Sequence, residues 1–303
     1  MFKYIVKRIL LAIATIFIVC LITFFTMNAI PGGPFSGEKA KSPEVQAALE
    51  KRFNLDKPVG QQFLLYMKNI SHGDFGVSAK TGREISATIN SKFKVSAKMG
   101  ILAVLLAVVE GVFFGSIAAL QRNKWPDRVI IFVSTLFTSL PSFVLGSFLL
   151  VIFSVKLGWV QAWSPQHQSL ILPVLSLAAY PAAYITRLTK TSMLDVLGQD
   201  YVRTARAKGV REGKVLFVHT LRNALIPVVT YVGPMIASVL TGSLVVEQIF
   251  TVGGLGNEFV QSITNRDYPM IMGVTIFLAV FMVTMNLITD IVYKLIDPRI
   301  TLE

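Results

Sequence analysis

The sequence predicts an all-α polytopic membrane protein with six transmembrane helices and a small helical extracellular segment after the first. Three observations predict it. Of the 303 residues, 53% are hydrophobic and only 15% charged. A soluble globular domain carries roughly 25% charged residues, so an ordinary soluble enzyme, a disulfide-rich secreted domain and a disordered chain are all excluded. Second, six apolar runs reach or approach the length of about 20 helical residues that a ~30 Å hydrocarbon core requires. Third, the net charge of +12 is concentrated in alternate connections between those runs, as expected of a membrane protein whose basic loops stay on one side. Cys20 is the only cysteine, so no intrachain disulfide is possible.

The first run, Ile9 to Ile30, follows the basic residues Lys3, Lys7 and Arg8. It is longer than the 7–15 apolar residues of a signal peptide and no small-residue cleavage site follows, which makes it an uncleaved anchor. The segment after it carries helix signals. Ser42-Pro43-Glu44 offers an N-cap, a first-turn proline and an early acid ahead of Val45, Ala48, Leu49 and Phe53. Asp56-Lys57-Pro58 breaks that helix, and Gln62 to Ile70 forms a second, closed by the turn at Gly73-Asp74-Phe75-Gly76. Thr81-Gly82-Arg83-Glu84 precedes a third amphipathic stretch. This small cap either covers the outer mouth or binds a ligand; both readings stand.

The remaining runs are Met99 to Leu120, Val129 to Val155, Ser169 to Thr186, Ile226 to Phe250 and Met270 to Tyr293. The fourth is the shortest and carries Pro173 and Pro181. Arg122, Lys124 and Arg128 face a single Asp127 between the second and third runs. Between the fourth and fifth lie Arg187, Lys190, Arg203, Arg206, Lys208, Arg211, Lys214 and Arg222 against Asp195, Asp200 and Glu212. The short alternate connections are poor in charge, holding Lys156 in one and Arg266 with Glu258 and Asp267 in the other; the long segment from Pro31 to Lys98 is also basic, but loop charge says little about orientation beyond about 60 residues. Positive loops stay in the cytoplasm, so both termini are placed inside. Most of the basic excess is thus an orientation signal, and it calls for no nucleic-acid partner.

The densest of these loops is more than a solvated connection in its local signals. Asp200 is a candidate N-cap, Tyr201 to Lys208 can form about two turns or ~12 Å of helix, and Gly209 is placed for a left-handed C-terminal cap. Asp200 at the start and Arg206 and Lys208 at the end suit the helix macrodipole. A short charged helix here is suited to docking on a partner, although loop basicity alone is equally expected of a solvated loop.

The stretch Arg203-Thr204-Ala205-Arg206-Ala207-Lys208-Gly209, with Leu221 to Leu225, resembles the cytoplasmic loop motif of bacterial ABC-importer permeases in its dipeptide and oligopeptide version. It lacks the general motif's acidic first residue and has Arg222 where that motif has proline. The resemblance extends along the chain: Tyr4 to Gly33 ending in Ile30-Pro31-Gly32-Gly33-Pro34-Phe35, Asn54 to Pro58, Gly73 to Gly76, Glu247-Gln248-Ile249-Phe250 with Gly254-Leu255-Gly256, Arg266 to Pro269, and Asp297-Pro298-Arg299. The chain is similar to the B-type subunit of that family. What the resemblance implies is a type I ABC-importer permease fold: a first helix and extracellular segment over 1–98, a core over 99–293 with a cytoplasmic coupling loop at 187–225, and a cytoplasmic tail at 294–303. It implies half of a translocation path in a bacterial cell membrane and a second homologous permease as heterodimeric partner. Two ATPase subunits would bind the ATP and Mg, and an extracellular binding protein would deliver oligopeptide. Asp200, Tyr201, Arg203, Thr204, Ala205, Arg206, Ala207, Lys208 and Gly209 would form the coupling contact. Related permeases carry dipeptides, nickel chelates or glutathione, and these cargoes stay open.

The chemistry of an enzyme is missing from the sequence. It has no Gly-x4-Gly-Lys-Ser/Thr phosphate loop, no His-Glu-x-x-His and no Gly-x-Ser-x-Gly. His72, His167 and His219 lack metal-ligand spacing. No catalytic residue, metal ligand or cofactor of its own is therefore expected. Gly253-Gly254-Leu255-Gly256 follows an apolar run and reads as a tight turn. Three acids, Glu110, Glu247 and Asp290, fall at membrane depth, where such groups face a bundle interior or a cavity. Glu110, about 18 Å along its helix from Lys98, either faces the path or the partner permease, or is a structural acid. Glu247 and Pro141 are the other path or inter-subunit candidates. Pro141, Pro173, Pro181 and Pro234 lie within runs, as kinks that favour rocking or as simple accommodations. A proton-coupled secondary transporter working through Glu110 is the more remote alternative.

Overall fold

The structure, a computed structural model, describes residues 2–30, 33, 35, 43–241 and 243–296. Pro31, Gly32 and Pro34 of the Ile30–Phe35 motif, Ser42 as an N-cap, and Asp297-Pro298-Arg299 lie outside them. The regular structure of the described residues is helical, with one isolated antiparallel bridge between Val77 and Glu84.

Four helices are long and apolar enough to cross a membrane, rising to six if each of two bent pairs counts as one span. The continuous ones are α1 (Phe2–Ala29), α4 (Ile85–Leu120), α7 (Ile171–Leu197) and α14 (Tyr268–Ile296). Between α1 and α4 lie α2 (Pro43–Arg52) and α3 (Val59–Ser71). Both follow from the helix and breaker signals of that segment. Gln62 at the start of α3 donates to the carbonyls of Leu55 and Lys57, which ties the helix to the turn before it.

The third apolar run is not the single helix expected over Val129 to Val155. It is α5 (Trp125–Ser139) and α6 (Ser142–Leu149), the latter continued by a widened π-type stretch, Leu150–Lys156, and the two arms bend by 105°. Proline supplies the reason. Pro141 has no N–H to donate and drives the preceding Leu140 out of helical backbone, to ψ 127°. The fourth run, expected to end at Thr186, continues as α7 to Leu197 and contains Pro181 in its interior. Arg187 and Lys190, read as loop charges, are therefore residues of a helix. The fifth run divides into α11 (Ile226–Thr241) and α12 (Leu244–Ile249), and is entered through Glu212–Ala224 at a 47° bend. Pro227 lies in the first turn of α11, where its missing N–H breaks no hydrogen bond. A last short helix, α13 (Leu255–Thr264), precedes α14.

The chain divides into two compact units. The first contains residues up to Ser96 and Gly253–Thr284. Its core joins Cys20, Phe24 and Met27 of α1 to Phe63 of α3 and to Met272 and Ile276 of α14, beside a second cluster of Ile85, Ile89, Leu255, Met270 and Val274. Asp267 organises its polar interior. This buried carboxylate accepts from the Ser78 hydroxyl and from the Ala79 N–H at 3.0 Å, and so fastens the loop before α4 to the start of α14.

The second unit contains Ala97–Val252 and the residues from Met285 on. Here α4 carries a buried stripe of small residues, Ala103, Ala107, Gly111, Gly115 and Ala119, at every fourth position, and packs on α7 through Gly111, Gly115 and Ala119. A Cβ at Gly111 would stand 2.5 Å from the Ile185 side chain, and one at Gly115 would stand 2.5 Å from the Thr186 carbonyl. Small residues let membrane helices approach this closely, which substitutes dispersion contact for the hydrophobic drive that lipid does not supply.

Candidate functional site

The loop helix forms as α8, Asp200–Ala207, with α9 (Glu212–Lys214), a π-type stretch Val215–Leu221 and α10 (Arg222–Ala224) behind it. Its sequence has two apolar residues three positions apart, Val202 and Ala205, and both are buried. They pack with Val215 as a small core flanked by Val196 and Val210. That core fixes which way the helix faces: Tyr201, Arg203, Thr204, Arg206 and Ala207 are exposed, followed by Lys208 and Gly209.

The caps differ at the two ends. Gln199, not Asp200, occupies the N-cap position, and Asp200 is the first helical residue. Its carboxylate still lies at the positive end of the helix dipole, and it approaches Arg203 at 3.5 Å. At the other end the left-handed cap is present: Gly209 has φ +74°. Its N–H donates to the Arg206 carbonyl at 2.9 Å, and the Val210 N–H donates to the Ala205 carbonyl at 3.2 Å. This pair of bonds is the Schellman arrangement.

Four further bonds brace α8. Arg206 forms a two-pronged ion pair with Glu212, at 2.7 and 3.2 Å. The guanidinium holds the Glu212 carboxyl below the usual carboxylate range. The pair is open to solvent and adds orientation more than stability. Asn223 donates to the Tyr201 hydroxyl at 3.0 Å, and the Thr204 hydroxyl donates to the Asp200 carbonyl at 2.9 Å. Arg206 and Tyr201 are thus partly engaged at home, which leaves Arg203, Ala207 and Lys208 as outward groups.

The buried acids separate. Glu247, in α12, is fully buried, and its Oε1 accepts from the Ser243 hydroxyl at 2.6 Å across one turn. Its own carbonyl takes the Val252 N–H at 2.8 Å, so the Glu247-Gln248-Ile249-Phe250 motif closes the turn that follows it. Glu110 is only half-buried on α4, beside the small stripe, and has no hydrogen-bond or ion-pair partner among the described residues. Asp290 is half-buried on α14. Pro141 is exposed at the 105° bend. The structure does not bring Glu110, Glu247 and Pro141 into one site. Among the described residues no group of three or more His, Cys, Asp or Glu is placed to hold a metal.

Two positioning features escaped the sequence reading. Asp127, buried at the start of α5, pairs with Lys190 of α7 at 2.5 Å and accepts the Asn123 N–H at 2.9 Å. The 63 residues that separate the pair in sequence hid it. The α4 stripe was legible in principle, as small residues recurring at every fourth position inside an apolar run.

Two family models match the chain. One, the binding-protein-dependent transport system inner membrane component, covers residues 111–302. The other, the N-terminal part of such membrane components, covers 1–100. The chain is 43% identical to a dipeptide transport system permease protein of Bacillus subtilis, over 100% of this chain and 99% of the relative. It is 41% identical to an oligopeptide transport system permease protein of Haemophilus influenzae, over 99% of each. It is 40% identical to the oligopeptide counterpart of Escherichia coli, again over 99% of each. In fold it is similar to the membrane chain of a crystal structure of an amino acid ABC transporter, with a TM-score of 0.55 at 17% identity over 69% of this chain and 94% of the other. It is similarly related to the inward-facing MetNI methionine ABC transporter, with a TM-score of 0.55 at 16% identity over 70% and 97%.

Proposed function

The chain belongs to the binding-protein-dependent transport system inner membrane component family, and from that premise we propose that it is a permease subunit of an ATP-driven oligopeptide importer. Full-length identity of 40–43% to oligopeptide and dipeptide permeases supports peptide as the cargo, with dipeptide as the near variant.

One observation carries the mechanism: α8 is pre-formed, anchored on its inner face by Val202 and Ala205, and presents Arg203, Ala207 and Lys208 outward. A helix held this way transmits a push rather than absorbing it. In the proposed complex α8 seats on one of two partner ATPases, which bind the ATP and Mg. Only Gly198 and Gln199 separate it from α7, so motion of α8 passes directly into a span. A second, homologous permease completes the path, and an extracellular binding protein delivers the peptide. The positive-inside rule places α8 and both termini in the cytoplasm of a bacterial cell. Glu110, half-buried and without a hydrogen-bond or ion-pair partner among the described residues, is assigned to the path or the permease–permease contact. Glu247, closed on Ser243, is assigned a structural part at the end of the fifth span, and Pro141 the bend of the third.

Co-purification tests the assembly. Isolation of the tagged chain in mild detergent is expected to bring down a second permease and two ATPases, and peptide-loaded binding protein is expected to stimulate ATP hydrolysis. A chain that isolates alone and stays stable contradicts the reading. Glu110 also motivates a second reading, a proton-coupled carrier, which requires uptake that survives ATP depletion and collapses with an uncoupler.

A further inference from the structure

The exposed face of α7 is built differently from those of α1 and α4. On α1 the large exposed side chains, such as Leu10, Phe17 and Ile22, are apolar, and on α4 so are Leu105, Val109 and Phe113. These are surfaces for lipid. On α7 the buried face is largely apolar (Ala178, Ala182, Ile185), while the other face is apolar only in its first turns, at Ile171 and Leu175, and then carries Tyr180, Tyr184, Arg187, Thr191 and Asp195 at helical spacing. Tyr180 is 48% and Tyr184 37% exposed. Tyr231 of α11 completes a cluster: its ring stacks on that of Tyr184 with centroids 4.3 Å apart and planes 32° from parallel.

Depth decides what this face meets. At a rise of 1.5 Å per residue, Tyr180 and Tyr184 lie about 14 and 20 Å from the start of α7, inside a core about 30 Å thick. Tyrosines that anchor a helix to the membrane surface sit at its edges; these do not. No hydrogen bond among the described residues satisfies the three hydroxyls, and lipid offers them no partner. The patch is therefore turned toward water or protein.

We propose that Tyr180, Tyr184 and Tyr231 form a contact surface for the peptide within the translocation path, an assignment that rests on the peptide-importer reading above. The chemistry suits that cargo. Phenol hydroxyls donate to and accept from peptide N–H and C=O groups whatever the sequence, and flat aromatic faces take apolar side chains without demanding a shape. The position suits it also. Pro181, between Tyr180 and Tyr184, removes the hydrogen bond to the Leu177 carbonyl and loosens the helix there. The same helix continues into α8, so nucleotide-driven motion of α8 would reposition the patch.

The test uses the complete importer in membrane vesicles and peptides of a casein hydrolysate. ATP-driven uptake by the unsubstituted importer is measured first; its absence would indict the importer reading itself. Tyr184→Cys and Tyr231→Cys are then labelled with a water-soluble thiol reagent, with Leu105→Cys as the lipid-facing reference and the buried Cys20 as background. The tyrosine positions are expected to label, Leu105→Cys not to, and saturating peptide to slow the labelling. Tyr184→Ala is expected to raise the peptide KM by about tenfold, the change that ~1.4 kcal/mol of lost affinity represents. Co-purification of the second permease and both ATPases with the Tyr184→Ala chain reads intact assembly. The proposal is overturned if Tyr184→Cys stays unlabelled in every nucleotide state and cross-links to the partner permease. It is overturned equally if peptide neither protects the position nor shows a changed KM in Tyr184→Ala.

Discussion

Gly209 holds a backbone at φ +74° that only glycine adopts freely, and the Schellman bonds ending α8 depend on it. Gly209→Val places a β-branched residue there at a penalty of ~1–2 kcal/mol. That is too little to prevent insertion but enough to fray the end of α8, the proposed coupling helix. Normal membrane abundance with uptake and peptide-stimulated ATP hydrolysis reduced by about tenfold, the effect of ~1.4 kcal/mol on a rate, is the expected outcome. Gly213→Val serves as the control, because Gly213 has an ordinary φ and open space around it; equal damage from both would remove the special role of Gly209. A second residue-scale prediction concerns Lys190. Lys190→Met takes from Asp127, only 4% exposed, its paired cation and leaves it the Asn123 N–H and the charge of Arg122, a loss below the ~3–5 kcal/mol of a fully buried pair. Thermal unfolding in detergent should register the loss, and adding Asp127→Asn should restore most of it. No recovery in the double variant would show that the ion pair is not the source.

Among the elements, the α4–α7 contact is the most tightly specified. Gly111→Leu drives a side chain into Ile185, since even its Cβ would stand 2.5 Å away; overpacking of this kind costs ~1–3 kcal/mol. The yield of assembled complex is expected to fall, whereas Gly60→Leu, with nothing within 4 Å, should leave it unchanged. Helix existence was legible in the sequence wherever an apolar run met a cap or breaker signal, as at Gly209 and Pro58. Helix continuity was not. Pro141 and Pro181 carry the same chemistry, yet one breaks its span by 105° and the other is absorbed inside α7. Tertiary packing makes that choice: Pro181 is buried among Ala182, Ala183 and Ile185, while Pro141 is exposed. The inner end of α7 was hidden for a related reason, because charged residues such as Lys190 end a hydropathy run without ending the helix.

Over the whole molecule, apolar runs and loop charge together sufficed for the class of the protein, because both obey the bilayer and not the details of packing. The site was legible in part. The proposed coupling helix announced itself through Asp200, Gly209 and the charges of Arg206 and Lys208 at its end. The pairing of Asp127 with Lys190 and the stacking of Tyr184 on Tyr231 join residues 63 and 47 positions apart, and no local pattern reports them. The account makes one demand of the assembled molecule: energy enters through α8 from ATP and not through Glu110 from protons. Peptide uptake by proteoliposomes of the purified complex, with ATP and an uncoupler varied independently, measures this directly. The account predicts uptake that requires ATP, persists with uncoupler present and is lost in Gly209→Val. Uptake that continues without ATP and collapses with the uncoupler would contradict it.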